Sequence, residues 1–335
     1  MRGTYYKVTT SLDDLKEGLF GQIVLWIFEI LPYLEKHCIF PDWDIKSRLY
    51  GVEPDYTVIP GVFNLAYTPV SQFNRTMSLL RLRASHVHTI GGDWQYAHRL
   101  WHSYFTIPHR VRRVADEIPI SKYTLGVHYR GNDKNQTPSD TNFVSQQDFL
   151  ILIKDFLKDH QDVESIFIAT DEFSFVQSVQ QKFAHLKIIN LGRVDFHKSS
   201  TNVYNKADRA LLDCLLLSRC KYLLKCSSAL SAFAKVLNPR IEAYRISASK
   251  LLNGSIPYFP DAYIPKLVSS SPECSKILER LFIDDWLDHQ IVSRDLGIPF
   301  RAVSRYKPLK KLENQIMYTV AASSKKLFPF LVKNT

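Results

Sequence analysis

The stretch GVHYRGNDK, Gly126 to Lys134, sets His128, Arg130, Asp133 and Lys134 directly after an apolar segment. In an alternating strand Arg130 falls on the same side as His128, and a planar guanidinium at a strand end can grip a phosphate through two parallel hydrogen bonds. The bland alternative for Arg130 is an ion pair with an acid such as Asp133.

Four further segments carry groups of the same kind. IATDE places Thr170 and Asp171 at the end of another apolar run, where a carboxylate can accept hydrogen bonds from hydroxyls or a base, or where either residue can cap a helix. KCSSALSAFAKVL sets Ser227 and Ser228 ahead of an apolar helical pattern, so their hydroxyls and the free amides of the helix start could bind phosphate together, or simply cap the helix. Asp213 interrupts the apolar run ALLDCLLLS, where a carboxylate is costly unless paired, and Arg209 stands four residues before it. Asp42 and Asp44 form a D-x-D pair that could hold a divalent cation, though such pairs also arise by chance at polar strand ends.

The elements that must position these groups are clearest beyond Pro119. Strand YTLGVHY, helix SQQDFLILIKDFLKDH, strand ESIFIATD, helix FSFVQSVQQKFA, strand LKIINL, helix KADRALLDCLLLSRC, strand KYLLKC and helix SALSAFAKVL alternate with short connections. That order predicts a parallel, doubly wound α/β sheet, whose ligands bind beyond the carboxyl ends of the strands. Upstream, EGLFGQIVLWIFEILPYLEKH reads as a glycine loop feeding a buried helix, and CIFPDWD as a short strand ending in polar residues. The expected organisation is an N-terminal α/β domain over 1–118, a doubly wound domain over 119–262 and a helical, basic extension over 263–335.

Composition narrows the class of protein. The chain has 335 residues, 45% hydrophobic, which suits two medium domains, and 43 basic against 33 acidic side chains give +10, a charge that draws phosphates, nucleic acid or anionic lipid. Its five cysteines lack any C-x-x-C pair, which argues against zinc and a disulfide framework and for a reducing compartment. The first residues have no apolar signal core, and IVLWIFEILPYL is broken by Glu29 and Pro32, so a cytoplasmic protein without a spanning helix is expected. The tail KKLFPFLVK mixes lysines with apolar residues and could touch an anionic membrane peripherally. Neither G-x-G-x-x-G after a strand nor G-x-x-x-x-G-K-[ST] nor G-x-S-x-G is present, which argues against the usual dinucleotide, P-loop and hydrolase readings.

Taken in order, GVHYRGNDK, IATDE and the Asp213 helix leading through a strand to the Ser-Ser turn resemble the three donor-site motifs of the α1,6-fucosyltransferase group, which includes the rhizobial nodulation enzymes and is related to protein O-fucosyltransferases. His128, Arg130, Asp133 and Lys134 match the first motif, Thr170 and Asp171 the second, and Asp213 with Ser227 and Ser228 the third. Gly21 and Gln22 are similar to the glycine and glutamine loop at that family's N-terminus. The resemblance implies a GT-B-like fold, two Rossmann-like domains facing a cleft, and an inverting transferase that uses a GDP-sugar, needs no metal and no cofactor, and acts on a glycan or lipid-linked saccharide. It further implies that Arg130 holds the β-phosphate, Asp213 the guanine side, and Ser227 and Ser228 the phosphates. The chain departs from the family at Gly131, where a second arginine is usual, and at Pro138, where a glutamate base is usual; Asp133, Asp140 and Asp171 are the carboxylates that could act instead, with Asp140 preferred as nearest the missing glutamate. Two alternatives stand beside this reading. One is a basic polyanion-binding module built on HRVRR and KPLKK, although a nucleic-acid partner is not expected; the other makes His128 a phosphate-accepting nucleophile.

Overall fold

The computed structural model describes residues 6–14, 18–69, 75–78, 94–131, 144–192, 203–226 and 228–246. Asp133, Lys134, Asp140, Ser227 and the whole 263–335 extension lie outside the described residues. The chain is mixed α/β, as the alternation predicts, and its helices and strands build two main sheets.

The first sheet joins β1 (Tyr6–Ser11), β2 (Asp42–Lys46), β3 (Thr57–Ile59) and β5 (Arg75–Ser78) in the order β3-β2-β1-β5, with only β3 antiparallel to its neighbour. A short ladder of β4 (Asn64–Leu65) and β6 (Phe105–Thr106) lies beside it. β2 corrects the sequence reading: the strand is DWDIK itself and not the segment leading to it. Its alternation puts Trp43 and Ile45 into the core and leaves Asp42 and Asp44 on the outer face, where Lys7 pairs with Asp44 at 3.2 Å. The single long N-terminal helix also divides, into α1 (Leu19–Leu25), a π turn over Trp26–Ile30 and α2 (Leu31–Lys36). Pro32 at that junction lacks a backbone donor, which accounts for the break in the regular ladder there.

The second sheet is wholly parallel. Its strands β7 (Thr124–Tyr129), β8 (Ser165–Thr170), β9 (Lys187–Asn190), β10 (Tyr222–Cys226) and β11 (Glu242–Ile246) lie in the order β11-β10-β7-β8-β9. The chain therefore winds outward from β7 through β8 and β9, then crosses to β10 on the other side, which makes the β7/β10 mouth the topological switch point. β7, β8 and β10 are buried along both faces, as near-continuous apolar runs in a covered sheet must be.

Helices α5 (Gln146–Asp159) and α6 (Phe173–Lys182) cover one face of this sheet. The other face is covered by α4 (His109–Asp116), α7 (Val203–Arg219) and α8 (Ala229–Leu237). Two of these helices also reach into the first core. Ala207, Leu211 and Cys214 of α7, with Ala232, Phe233 and Val236 of α8, pack among side chains of α1, β2 and α3 (Trp94–Tyr104), whereas Leu216 and Leu217 of α7 belong to the second core. Phe233 is the joint, its ring centroid lying 4.9 Å from Trp101, 5.5 Å from Phe20 and 6.0 Å from Phe63. Among the described residues no helix is long and apolar enough to cross a membrane.

Candidate functional site

Strand order brings the sequence candidates to one mouth. β7 delivers His128 and then Arg130, β8 delivers Thr170 and Asp171, and β10 delivers Cys226 ahead of Ser228 at the start of α8. In register, Lys225 of β10 lies opposite His128 of β7, and Tyr129 opposite Thr170 of β8.

His128 is buried, its Nδ1 2.9 Å from Ser231 Oγ. The Ser231 hydroxyl in turn donates to the carbonyl of Ser228 at 3.2 Å, so its oxygen is left to accept from Nδ1–H and the bare ring nitrogen is Nε2. Burial, and then the nearby positive charges of Arg130 and Lys225, push the ring's pKa down to about 3. His128 is thus a neutral strut between β7 and the start of α8; the charge at this mouth comes from Arg130, half-buried just past β7, and from Lys225, fully buried on β10. The depth of the imidazole disfavours the phosphate-accepting alternative.

Ser228 occupies the N-cap of α8 without making a side-chain capping bond. Its hydroxyl is buried and has no hydrogen-bond partner among the described residues, so simple capping is not its role in this conformation. The first amides of α8 open toward the same switch point.

The β8 side of the mouth has the opposite charge. Thr170 Oγ1 accepts from the Glu172 amide at 3.1 Å, a local turn bond ahead of the helix and not a cap of it, since Glu172 itself is the N-cap residue. Asp171 does not cap: its Oδ1 accepts from Gly131 N–H at 3.0 Å and ties the exits of β7 and β8 together. Glu172 takes the N-cap position of α6, again with no side-chain cap bond. Its carboxylate turns back over Gly131, where Oε2 accepts from Gln146 Nε2 at 2.6 Å. A Cβ at position 131 would overlap that carboxylate, the far end of a flexible side chain, so any larger residue there would have to displace it.

Other candidates stand apart from the mouth. Asp213 is buried within α7 and pairs with Arg209 at 3.7 Å, the i,i+4 pair expected from the sequence. Arg209 also donates to the Leu191 carbonyl at 2.8 Å, just past β9, which sets Asp213 one helical turn below the strand ends. Burial outweighs the pull of Arg209 and raises the Asp213 pKa to about 7. Gly21 and Gln22 lie in α1, which meets α8 through the Phe20–Phe233 contact and so approaches the site from the first sheet. In the HRVRR run Arg110 is used internally, donating two bonds to Asp208 at 2.8 Å and one to the Gly61 carbonyl at 2.7 Å.

Sequence reasoning passed over Lys225, Ser231 and Gln146, and gave Glu172 no role beyond its place among the strand-exit residues Thr170 to Glu172. Lys225 had a signal, a charge within the apolar run KYLLKC. Ser231, Gln146 and Glu172 look like ordinary helix-start residues until tertiary structure aims them at the mouth.

No family model and no curated protein sequence matches the chain. Solved structures that match include the NodZ α-1,6-fucosyltransferase co-crystallised with GDP, at 18% identity over 46% of this chain and 48% of that one, with a TM-score of 0.31. POFUT1 in complex with GDP matches at 9% identity over 71% and 95% of the two chains, with a TM-score of 0.45. An Arabidopsis thaliana FUT1 mutant in complex with GDP matches at 8% identity over 76% and 72%, with a TM-score of 0.42. The chain spans about half the length of the NodZ structure and of an apo-form of POFUT1, 48% in each case. With each of these TM-scores below 0.5, the likeness is weak and carries no conclusion about chemistry in this chain.

Proposed function

We propose that the chain is a glycosyltransferase that binds a GDP-sugar, fucose or a related sugar, at the β7/β10 switch point and transfers the sugar to a hydroxyl of a glycan or lipid-linked saccharide. The observation that supports this most is the convergence, at one strand mouth, of Arg130, buried Lys225, the uncapped Ser228 hydroxyl and the amides of α8. Such a set suits an anion of two phosphates: the guanidinium can bridge phosphate oxygens, and helix-start amides add donors in a site shielded from water.

In the proposed reaction the acceptor hydroxyl attacks the anomeric carbon as the bond to the β-phosphate oxygen breaks, with inversion. The departing diphosphate gains negative charge, which Arg130 and the α8 amides stabilise where it develops. No metal or cofactor is invoked. A carboxylate must take the hydroxyl proton: Asp140 and Asp133 remain the proposals from the sequence, with Lys134 beside the leaving group. Asp171 faces the same mouth but has one oxygen committed to Gly131. His128 positions α8, Thr170 shapes the β8 exit, and Ser227 joins Ser228 on the phosphates. Asp213 on the guanine side, and Gly21 and Gln22 on the facing edge, complete the proposed donor site. Peripheral contact of the C-terminal segment with a membrane would suit a lipid-linked acceptor.

Calorimetric titration with GDP, UDP and ADP in metal-free buffer tests this reading without knowledge of the acceptor. Micromolar binding of GDP, lost in Arg130→Ala, is expected. Preference for UDP would reject the GDP-sugar assignment, and silence from all three nucleotides would reject the donor site.

A further inference from the structure

The exits of β7, β8 and β10 divide sharply by charge. On the β10 side are Lys225 and the start of α8; on the β8 side are Asp171 and Glu172; Arg130 stands between them. Two carboxylates repel phosphate, so the diphosphate of any nucleotide-sugar is confined to the β10 side. The β8 side is suited to hydroxyl groups, which donate hydrogen bonds to carboxylates without bringing charge.

Glu172 is set up for that task by three neighbours. Gln146 fixes Oε2, the Thr170 hydroxyl fixes the Glu172 amide, and Gly131 leaves the volume the carboxylate fills. Oε1 has no hydrogen-bond partner among the described residues. Beneath it, the Tyr129 hydroxyl is buried, has no partner among the described residues, and is close enough to Glu172 and Asp171 to feel their charge. A half-buried carboxylate with one oxygen anchored and one open, near an unsatisfied buried hydroxyl, suits a ligand rich in hydrogen-bond donors.

Resting on the nucleotide-sugar reading above, we propose that Glu172 binds the hydroxyls of the transferred sugar, so that the donor lies with its diphosphate toward β10 and its sugar toward β8. Glu172 then determines sugar specificity, and Gly131 leaves its carboxylate undisplaced. Glu172→Gln keeps the shape of the side chain. Gln146 Nε2 would hold its carbonyl oxygen, turning an amide donor toward the sugar where an acceptor had been.

The test is calorimetric titration of the full chain with GDP, GDP-fucose and GDP-mannose, for the native protein, Glu172→Gln, Gly131→Ala and Ser228→Ala. In the native protein at least one sugar nucleotide should bind more tightly than GDP. Glu172→Gln should weaken that ligand about tenfold to hundredfold, the loss expected for a hydrogen bond to a charged group, while GDP changes less than twofold. Gly131→Ala should do the same by displacing the carboxylate, and Ser228→Ala should weaken all three ligands alike. If Glu172→Gln does not fold, Gln146→Ala, which releases the carboxylate from half-exposed surface, replaces it in the comparison. Equal loss of GDP and sugar nucleotide, no loss at all, or no gain from either sugar in the native protein would overturn this inference while leaving nucleotide binding intact. A native protein that binds none of the three would instead overturn the donor-site reading itself.

Discussion

Asp213→Asn should change how stability depends on pH, and the size of the change follows from burial. The carboxyl is 3% exposed, and its only ion pair among the described residues, to Arg209 at 3.7 Å, is too long to offset desolvation, so its pKa rises from 3.8 to about 7. Below about pH 4 the group is protonated in both folded and unfolded chains and has no effect on the balance. As pH rises toward 7 the unfolded chain ionises and the folded one resists, so the native protein loses about 1.4 kcal/mol per pH unit from this group, about 4 kcal/mol in all. Asparagine does not titrate. Urea denaturation of native and variant protein at four pH values from 4.5 to 7.5 gives the difference in unfolding free energy directly. The variant should gain on the native protein steadily over that interval, whatever constant offset the substitution brings. A difference that is flat with pH would show that Asp213 is ionised throughout and held by Arg209, and the burial argument would fail.

Three further outcomes are expected. The His128 ring should show no protonation step between pH 5 and 8 by imidazole NMR; because its folded pKa is depressed to about 3, its effect is the reverse of Asp213, with stability full above about pH 6.5 and lost as pH falls toward 3. Phe233→Ala should cost about 3–5 kcal/mol in chemical denaturation, since the ring is fully buried among Phe20, Phe63 and Trp101. Gly51→Ala should lower the melting temperature, by a cost of about 1–3 kcal/mol or more, because its Cβ would collide with the backbone carbonyl of Tyr56, which cannot swing aside as a side chain can.

The second sheet was legible because each of its central strands is buried on both faces and so appears as an unbroken apolar run between polar exits. β11 escaped notice: EAYRI sits at the sheet edge and mixes charge with apolar residues. In the first sheet the strands are short, and DWDIK hides its inward Trp43 and Ile45 between outward charges, so its polar residues were taken for a strand end. At the site, residues leaving a strand could be named from chain order alone, as His128, Arg130 and Asp171 were. Glu172 leaves β8 in the same way, but its meeting with Gln146 over Gly131 could not be named, because it depends on how α5 and α6 stack beside β7, and no spacing in the sequence encodes it. Lys225 was visible as an anomaly, but only its register with His128 gives that anomaly a place.

The sharing of α7 between both cores bears on cooperativity. The helix packs through Ala207, Leu211 and Cys214 into one core and, nearer its C-terminus, through Leu216 and Leu217 into the other. Neither sheet can shed this helix without opening its own interior, so the two halves of the chain should melt in a single transition, and limited proteolysis should not release either as a stable fragment. Adjustment to a ligand would then fall to the segments leaving the strands, with the sheets themselves moving as one body.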